Sequence, residues 1–382
     1  MNTTSEQLYS VFTGELNQYT DFDHISLYSG RCGVLLYQAL SLIVKEDEVM
    51  DRAMAANFQM IKTILNESSS VSDTFASGLA GFGWLSCYLS DIGFLEENDS
   101  FLTWLDETLE KSIIKHLAED SVDIMHGAMG LGLYFLKRRR HSQVEMVIHH
   151  LLKTSKRNEQ GTFWTRFDHY NVQGTVIDFG LAHGISGILY FLHKCSVAGV
   201  QSVICDQLIS QGICFLHNNR QDMTASGSFF GTYILESEHP SPLPLYSRLA
   251  WCYGDLGMLR TLYLINKSKK DKADIEELLL QTCTRRKQSQ TLVSDISLCH
   301  GSSGAALLFY DLYHQTVNPK FLEAAYFWAE ESLAYYNKLS IPDADKSLLT
   351  GITGMGLMSI ALQNPKLHQK RYSAWKEAFF LL

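Results

Sequence analysis

Leu181–Leu192 reads LAHGISGILYFL, and this stretch decides the fold. Two glycines three residues apart, Gly184 and Gly187, open an unbroken apolar run. The same step recurs at Gly30 (GRCGVLLYQAL), Gly78 (GLAGFGWLSCYL), Gly127 (GAMGLGLYFL), Gly254 (GDLGMLRTLYL), Gly301 (GSSGAALLFYDLY) and Gly351 (GITGMGLMSIAL). A single Gly-x-x-Gly step carries little information. Seven of them, separated by 48, 49, 57, 70, 47 and 50 residues, define an internal repeat of the length that one helical hairpin requires.

The runs behind the glycines are apolar nearly all round, which predicts helices buried on every side. The connecting stretches differ. Asp51–Asn66, Phe101–Glu119, Asp274–Gln281 and Pro319–Lys338 place apolar residues three and four apart beside charges, the pattern of a helix with one solvated face. Alternation of buried and half-buried helices predicts two layers. An open solenoid would expose one face of every helix, whereas the inner series here carries almost no charge. The expectation is therefore an all-α, closed, double-layered α/α toroid built from seven helical repeats. The two long intervals, Arg157–Phe179 and Asn218–Leu249, hold aromatic and turn-forming residues (GTFWTRF, ASGSFFGTYIL, HPSPLPLY) and predict loops or short β-hairpins at one end of the ring. No linker or low-complexity stretch divides the chain, so residues 1–382 are expected to form a single domain.

Composition supports this picture. Only 6 prolines occur in 382 residues, as a helical chain requires. A hydrophobic share of 46% with 19% charged residues suits a large buried core. The net charge of −9 argues against nucleic acid or an anionic membrane as main partner. Met1–Asn17 is polar and acidic, so no signal peptide is expected, and no apolar run reaches the roughly 20 residues of a membrane span. Eight cysteines without a secretory signal read as thiols or metal ligands in a reducing compartment, the cytoplasm.

Polar residues collect just before the glycines. Asp123 and His126 precede Gly127, His183 precedes Gly184, Cys252 precedes Gly254, and Cys299 with His300 precedes Gly301. In a closed repeat these equivalent positions meet around one mouth. Two thiolates and an imidazole, Cys252, Cys299 and His300, make a soft ligand set for one Zn²⁺, with the fourth tetrahedral position open as in catalytic sites. The other cysteines, Cys32, Cys87, Cys195, Cys205, Cys214 and Cys283, read as small apolar core residues. His183 at the same mouth suits a general acid/base. His126 shares that position, either as a site residue or as a structural one. Asp123 can serve the site or cap its helix. Lys137–Arg140 reads as a solvated helix end.

At GLAHGISG, WCYGD and LCHGSSG the chain resembles the lanthionine synthetase C-like family, the cyclases of lanthipeptide biosynthesis, and the resemblance runs through all seven glycine steps. It implies a double-layered toroid with a central zinc held by Cys252, Cys299 and His300, and His183 as acid/base. It also implies roles for Asp123, for Arg248 four residues before the zinc cysteine, and for Tyr253 directly after it. The implied activity is a Michael-type addition of peptide cysteine thiols to dehydroalanine or dehydrobutyrine, giving lanthionine and methyllanthionine thioether rings. The implied partners are a dehydrated precursor peptide, a lanthipeptide dehydratase and an exporter, the last two offering a peripheral association with the membrane. The insertions are short, which puts in doubt any additional peptide-binding subdomain.

Three other readings fit parts of the pattern. Members of the family that add glutathione to dehydrated residues would keep the zinc and change the thiol. A non-catalytic peptide-binding scaffold would close the metal with a fourth ligand, His183 or His126. A carbohydrate enzyme would need paired carboxylates; Asp123 and Asp255 make no convincing pair and leave the cysteines unexplained.

Overall fold

Every glycine that opens a step caps a helix. In a computed structural model describing residues 22–68, 70–96, 99–168, 172–239, 246–339 and 344–382, the chain forms α1 (Arg31–Val44), α2 (Glu48–Glu67), α3 (Leu79–Asp91), α4 (Asp99–Ala118), α5 (Ala128–Lys137) and α6 (His141–Thr154). Four short strands follow, β1 (Lys156–Asn158), β2 (Gly161–Phe163), β3 (Arg166–Asp168) and β4 (Gly174–Asp178), then α7 (Ile185–Val197), α8 (Ser202–Asn218) and β5 (Tyr233–Leu235). The chain continues through α9 (Asp255–Ile265), α10 (Lys269–Thr282), α11 (Ser302–Thr316), α12 (Pro319–Tyr336) and α13 (Ile352–Gln363). Met1–Asn17, read above for a targeting signal, and residues 240–245 of the second insertion lie outside the described residues.

The two helix classes separate as the periodicity predicts. In α13 every residue but Gln363 is buried, and in α1 all but Leu42 and Val44. In α2 only Met50, Met54, Asn57 and Ile61 are buried, a single stripe at helical spacing. Because the N-cap glycines offer no side chain, the free N–H groups at these helix starts are satisfied by the preceding turn. The amides of Leu79, Ala128, Ser302 and Ile352 donate to the carbonyls of Ser72, Ser121, Asp295 and Asp345, at 2.8, 2.8, 2.9 and 2.8 Å.

This tight return explains the glycines. A Cβ on Gly184 would lie 2.3 Å from the Asp178 carbonyl oxygen, although its backbone angles are open to any residue. At Gly254 both space and dihedral forbid a side chain: φ is +97° and a Cβ would lie 1.8 Å from the Arg248 carbonyl oxygen.

Contacts divide the chain into two compact units, Met1–Ile114 with Ser294–Leu382, and Lys115–Val293. In the first, the inner helices neighbour one another in the order α11, α13, α1, α3, with α12 on α11 and α2 on α1. After α13 the chain makes 3-10 turns at Pro365–His368 and Ser373–Phe379 in place of another outer helix. That segment is stitched inward. Tyr28 Oη donates to the Ala378 carbonyl, Tyr88 Oη to the Tyr372 carbonyl, and buried Lys376 pairs with buried Asp311 at 3.0 Å.

In the second unit the inner order is α5, α7, α9, backed by α6, α8 and α10. The first insertion forms the β1–β2 hairpin, which packs on α8, and the antiparallel pair β3–β4. The second adds β5 to β4 to make a three-stranded sheet. Lys137 ends α5, and the basic residues after it turn away from the helix with Arg139 and Arg140 exposed.

Asp255 is the anchor of the second insertion. It is wholly buried at the first position of α9, pairs with buried Arg285 at 2.7 Å, and accepts the amides of Phe229 and Phe230 at 3.0 Å. Burial pushes its carboxyl up to about 6, with Arg285 and the two amides opposing the rise. Its oxygens are committed to these partners, so it serves no carboxylate pair. Removing one member of a buried pair strands the other. Asp255→Ala is expected to lower unfolding free energy by about 3–5 kcal/mol. Chemical denaturation measures this, and a loss below about 1 kcal/mol, the worth of an exposed pair, would contradict the anchoring role.

Candidate active site

In five of the seven repeats the side chain of the fourth residue before the glycine closes the turn. Ser26, Thr74, Ser297 and Ser347 each accept, through the hydroxyl, the amide three residues later, at 3.0, 3.2, 3.2 and 3.3 Å. In the third repeat this position is Asp123. Its Oδ1 does what the hydroxyls do, accepting the amides of Met125 and His126 at 2.7 Å each. A carboxylate has a second oxygen that the turn does not use. Oδ2 accepts a short hydrogen bond from Nδ1 of His183. Asp123 thus holds its own turn through one oxygen and His183 through the other.

This pair sets the local electrostatics. Burial pulls the His183 imidazole down, but the hydrogen bond and charge of Asp123, with Asp178 behind, raise it above the ordinary histidine value. For Asp123, burial pushes up, and its bonds to His183 and the His126 amide bring it below the usual carboxylate value. With Nδ1 committed to Asp123, Nε2 is the other ring nitrogen of His183.

Around His183 stand groups from the same unit. His126 stacks on it, with ring centroids 6.0 Å apart. The Tyr253 ring lies 5.9 Å away, and its hydroxyl donates to Asp178 Oδ2 at 3.3 Å. Burial and the Asp178 charge push that phenol well up. The turn carrying His183 is tied to the neighbouring repeat through backbone: the amides of Leu181 and Ala182 donate to the Cys252 carbonyl at 2.9 and 3.3 Å. Arg248 lies half-buried at the base of the loop that the Leu249–Gly254 bridge closes.

Cys252 is buried, and Cys299 and His300 are partly exposed. The two Sγ atoms and a ring nitrogen of His300 all lie within 4.8 Å of one another. This spacing and the sulfur–sulfur–nitrogen chemistry fit a zinc ion, and this group could hold one. Nε2 of His300 faces Oδ2 of Asp295 at 3.5 Å, the kind of outer carboxylate that orients a ligand imidazole.

The family model described as lanthionine synthetase C-like protein matches residues 21–379. The chain belongs to the lanthionine synthetase C-like family. Among solved structures, this family member is similar to the nisin cyclase, with a TM-score of 0.79, 17% sequence identity, and coverage of 99% of this chain and 96% of that one. The fold is accordingly the all-α, double-layered toroid of a lanthionine synthetase C-like protein, with short strand insertions. A curated relative, the glutathione S-transferase LANCL1 of Danio rerio, is 28% identical over 184 residues, 46% of this chain. The match spans 40% of that relative's length. No helix among the described residues is long and apolar enough to cross a membrane.

Two residues at this lanthionine synthetase C-like site escape the motif reading. Asp178 stands six before its glycine, as Asp295 and Asp345 stand before theirs, so the repeat alignment carried a signal for it. Arg166 lies in the insertion, where no repeat copy exists to flag it.

The Asp123–His183 pair predicts a pH effect. A histidine raised in the folded state contributes stability below its unfolded value, near 6.5, and loses it as pH rises through the folded value. Without the hydrogen bond and charge of Asp123, burial, the largest influence, is opposed only by the weaker effect of the Asp178 charge. In Asp123→Asn the His183 pKa is expected to fall below 6.5, as followed by NMR titration of the ring. A value as high as that of the wild type would refute the pairing.

Proposed function

We propose that this protein is a zinc-dependent lanthipeptide cyclase that adds peptide cysteine thiols to dehydroalanine or dehydrobutyrine, forming lanthionine and methyllanthionine rings. The observation that carries the proposal is the approach of two thiols and an imidazole, Cys252, Cys299 and His300, within 4.8 Å. Membership of the lanthionine synthetase C-like family and the fold shared with the nisin cyclase support the same reading.

In this reading Cys252, Cys299 and His300 hold one zinc ion. When bound, it would lower the pKa of a substrate thiol so that the nucleophilic thiolate exists at neutral pH. The peptide's sulfur then adds to the β-carbon of the dehydrated residue, and the double-bond electrons move onto its carbonyl oxygen. His183 gives a proton from Nε2 to the α-carbon and is restored by the proton the thiol released, and Asp123 steadies the imidazole through Nδ1. Tyr253, held by Asp178, packs beside the His183 ring and fixes its approach. Arg248 is assigned to the developing oxyanion on family resemblance. Holding thiol and acceptor in one chain makes the step a ring closure assisted by proximity. The substrate is a dehydrated precursor peptide. A dehydratase and exporter are the partners such a cyclase would meet in the cytoplasm, peripheral to the membrane. Residues 1–382 act as one domain in this proposal.

A second reading rests on the likeness to the glutathione S-transferase LANCL1: the same residues would add glutathione to a dehydrated residue. Mass spectrometry with thiol labelling separates the two after incubation with a dehydrated, cysteine-containing peptide, with and without glutathione. Loss of free thiol at unchanged mass indicates cyclisation, and a gain of one glutathione indicates the alternative.

Substitutions separate the roles. Cys252→Ala or Cys299→Ala is expected to abolish both bound zinc and thiol addition. His183→Ala is expected to retain zinc, measured by atomic emission, while kcat falls about 100-fold or more, the usual contribution of a general acid. Zinc loss in His183→Ala would make that residue a ligand instead.

A further inference from the structure

A cavity of about 730 Å³ opens beside the Asp123–His183 pair, within the second unit. Asp123 and His183 form part of its wall, Ile185 and Ile188 give it apolar lining, and the β3 residues Arg166 and Phe167 face it from the insertion. Arg166 is held rigidly. Its Nε and Nη2 donate to Asp178 Oδ2 at 2.9 and 2.6 Å, and its Nη1 to Asp168 Oδ2 at 3.2 Å. Both carboxylates are 2% exposed, whereas the Arg166 side chain remains 30% exposed.

The arrangement exceeds what a structural ion pair requires. Three of the five guanidinium hydrogens are used on the carboxylates, which among the described residues leaves two for an acceptor in the cavity. A planar cation whose orientation is already fixed binds such an acceptor with little further ordering. The same Asp178 oxygen also takes the Tyr253 hydroxyl, so one carboxylate links this cation to the ring packed against His183. Phe167, 51% exposed, adds an apolar surface at the rim.

We propose that Arg166 is a substrate-positioning residue that holds a backbone carbonyl oxygen of the peptide flanking the dehydrated acceptor, with the cavity taking that flanking chain. The role rests on the thiol-addition reading above and specifies its substrate: an acceptor within a polypeptide, not an isolated dehydroamino acid. An anchor on flanking chain contributes binding and not chemistry. It also acts only on substrates long enough to reach it.

The experiment compares two substrates on the zinc-loaded full-length protein. One is a synthetic heptapeptide with one cysteine and one dehydroalanine; the other is N-acetyldehydroalanine methylamide with free glutathione as thiol. Arg166→Lys and Arg166→Gln are expected to raise KM for the heptapeptide about tenfold or more, the scale of one hydrogen bond to a charged group, with kcat within about threefold. The short acceptor should keep its kcat/KM within about threefold. Equal losses on both substrates, or a fall in kcat without a rise in KM, would overturn the positioning role. A wild-type protein that acts on neither substrate would overturn the underlying activity, and the role with it. Losing Arg166 strands Asp168 and Asp178, so Phe167→Ala, at an exposed ring, supplies a variant safe for folding. It should raise the heptapeptide KM about threefold, consistent with lost apolar contact, and spare the short acceptor. An unchanged heptapeptide KM there would place the chain outside the cavity and also overturn the proposal.

Discussion

The return of backbone onto each inner helix start is the constraint on which the site depends. Residues −6 to −1 before a glycine fold back so closely that carbonyl oxygens satisfy the first helical amides, as Asp295 does for Ser302. Only an absent Cβ permits the approach. A turn pinned at both ends has little freedom, so the side chains at its centre inherit fixed directions. The candidate site residues Asp123, Cys299 and His300 occupy such turns, and His183 and Cys252 occupy the corresponding turns before Gly184 and Gly254, where the carbonyl oxygen six residues back likewise leaves no room for a Cβ. Scaffold and candidate site therefore share the same turns, so the fold that forms the inner helices also places these side chains.

Within that frame, function enters by small departures from the structural rule. Four turns use a hydroxyl to accept the amide three residues on; one uses a carboxylate and has an oxygen to spare for His183. The exchange of serine or threonine for aspartate keeps the turn and adds a charge that offsets the desolvation of the imidazole. Asp178 and Asp295 show a second departure. Each uses Oδ1 on the amide two residues later, at 2.8 Å, and turns Oδ2 toward side chains of the candidate site: Arg166 and Tyr253 in one case, His300 in the other.

The second unit also carries buried charge that the repeat itself does not need. Asp255 with Arg285 binds the second insertion to the start of α9, and within the first Arg166 of β3 pairs with Asp168 and with Asp178 at the end of β4. Buried ion pairs stabilise little against an apolar alternative, yet they penalise any misplacement strongly. Here they fix the position of segments with short strands and little hydrophobic core of their own.

From sequence alone came the seven inner helices, their burial, the strand-forming insertions and the polar residues of each turn. Those features follow from periodicity and from glycine, which act over a few residues and leave their mark in local order. The motifs also carried the family and the three candidate ligands. Tertiary structure alone decided what depends on distance between segments remote in the chain. It gave Asp123 its second partner, made Arg166 part of the cavity wall beside His183, committed Asp255 to Arg285, and replaced a final outer helix by a C-terminal segment stitched to Tyr28, Tyr88 and Asp311. Such pairings leave no periodic trace, because a charge selects its partner through space and burial, and neither is written in the order of residues.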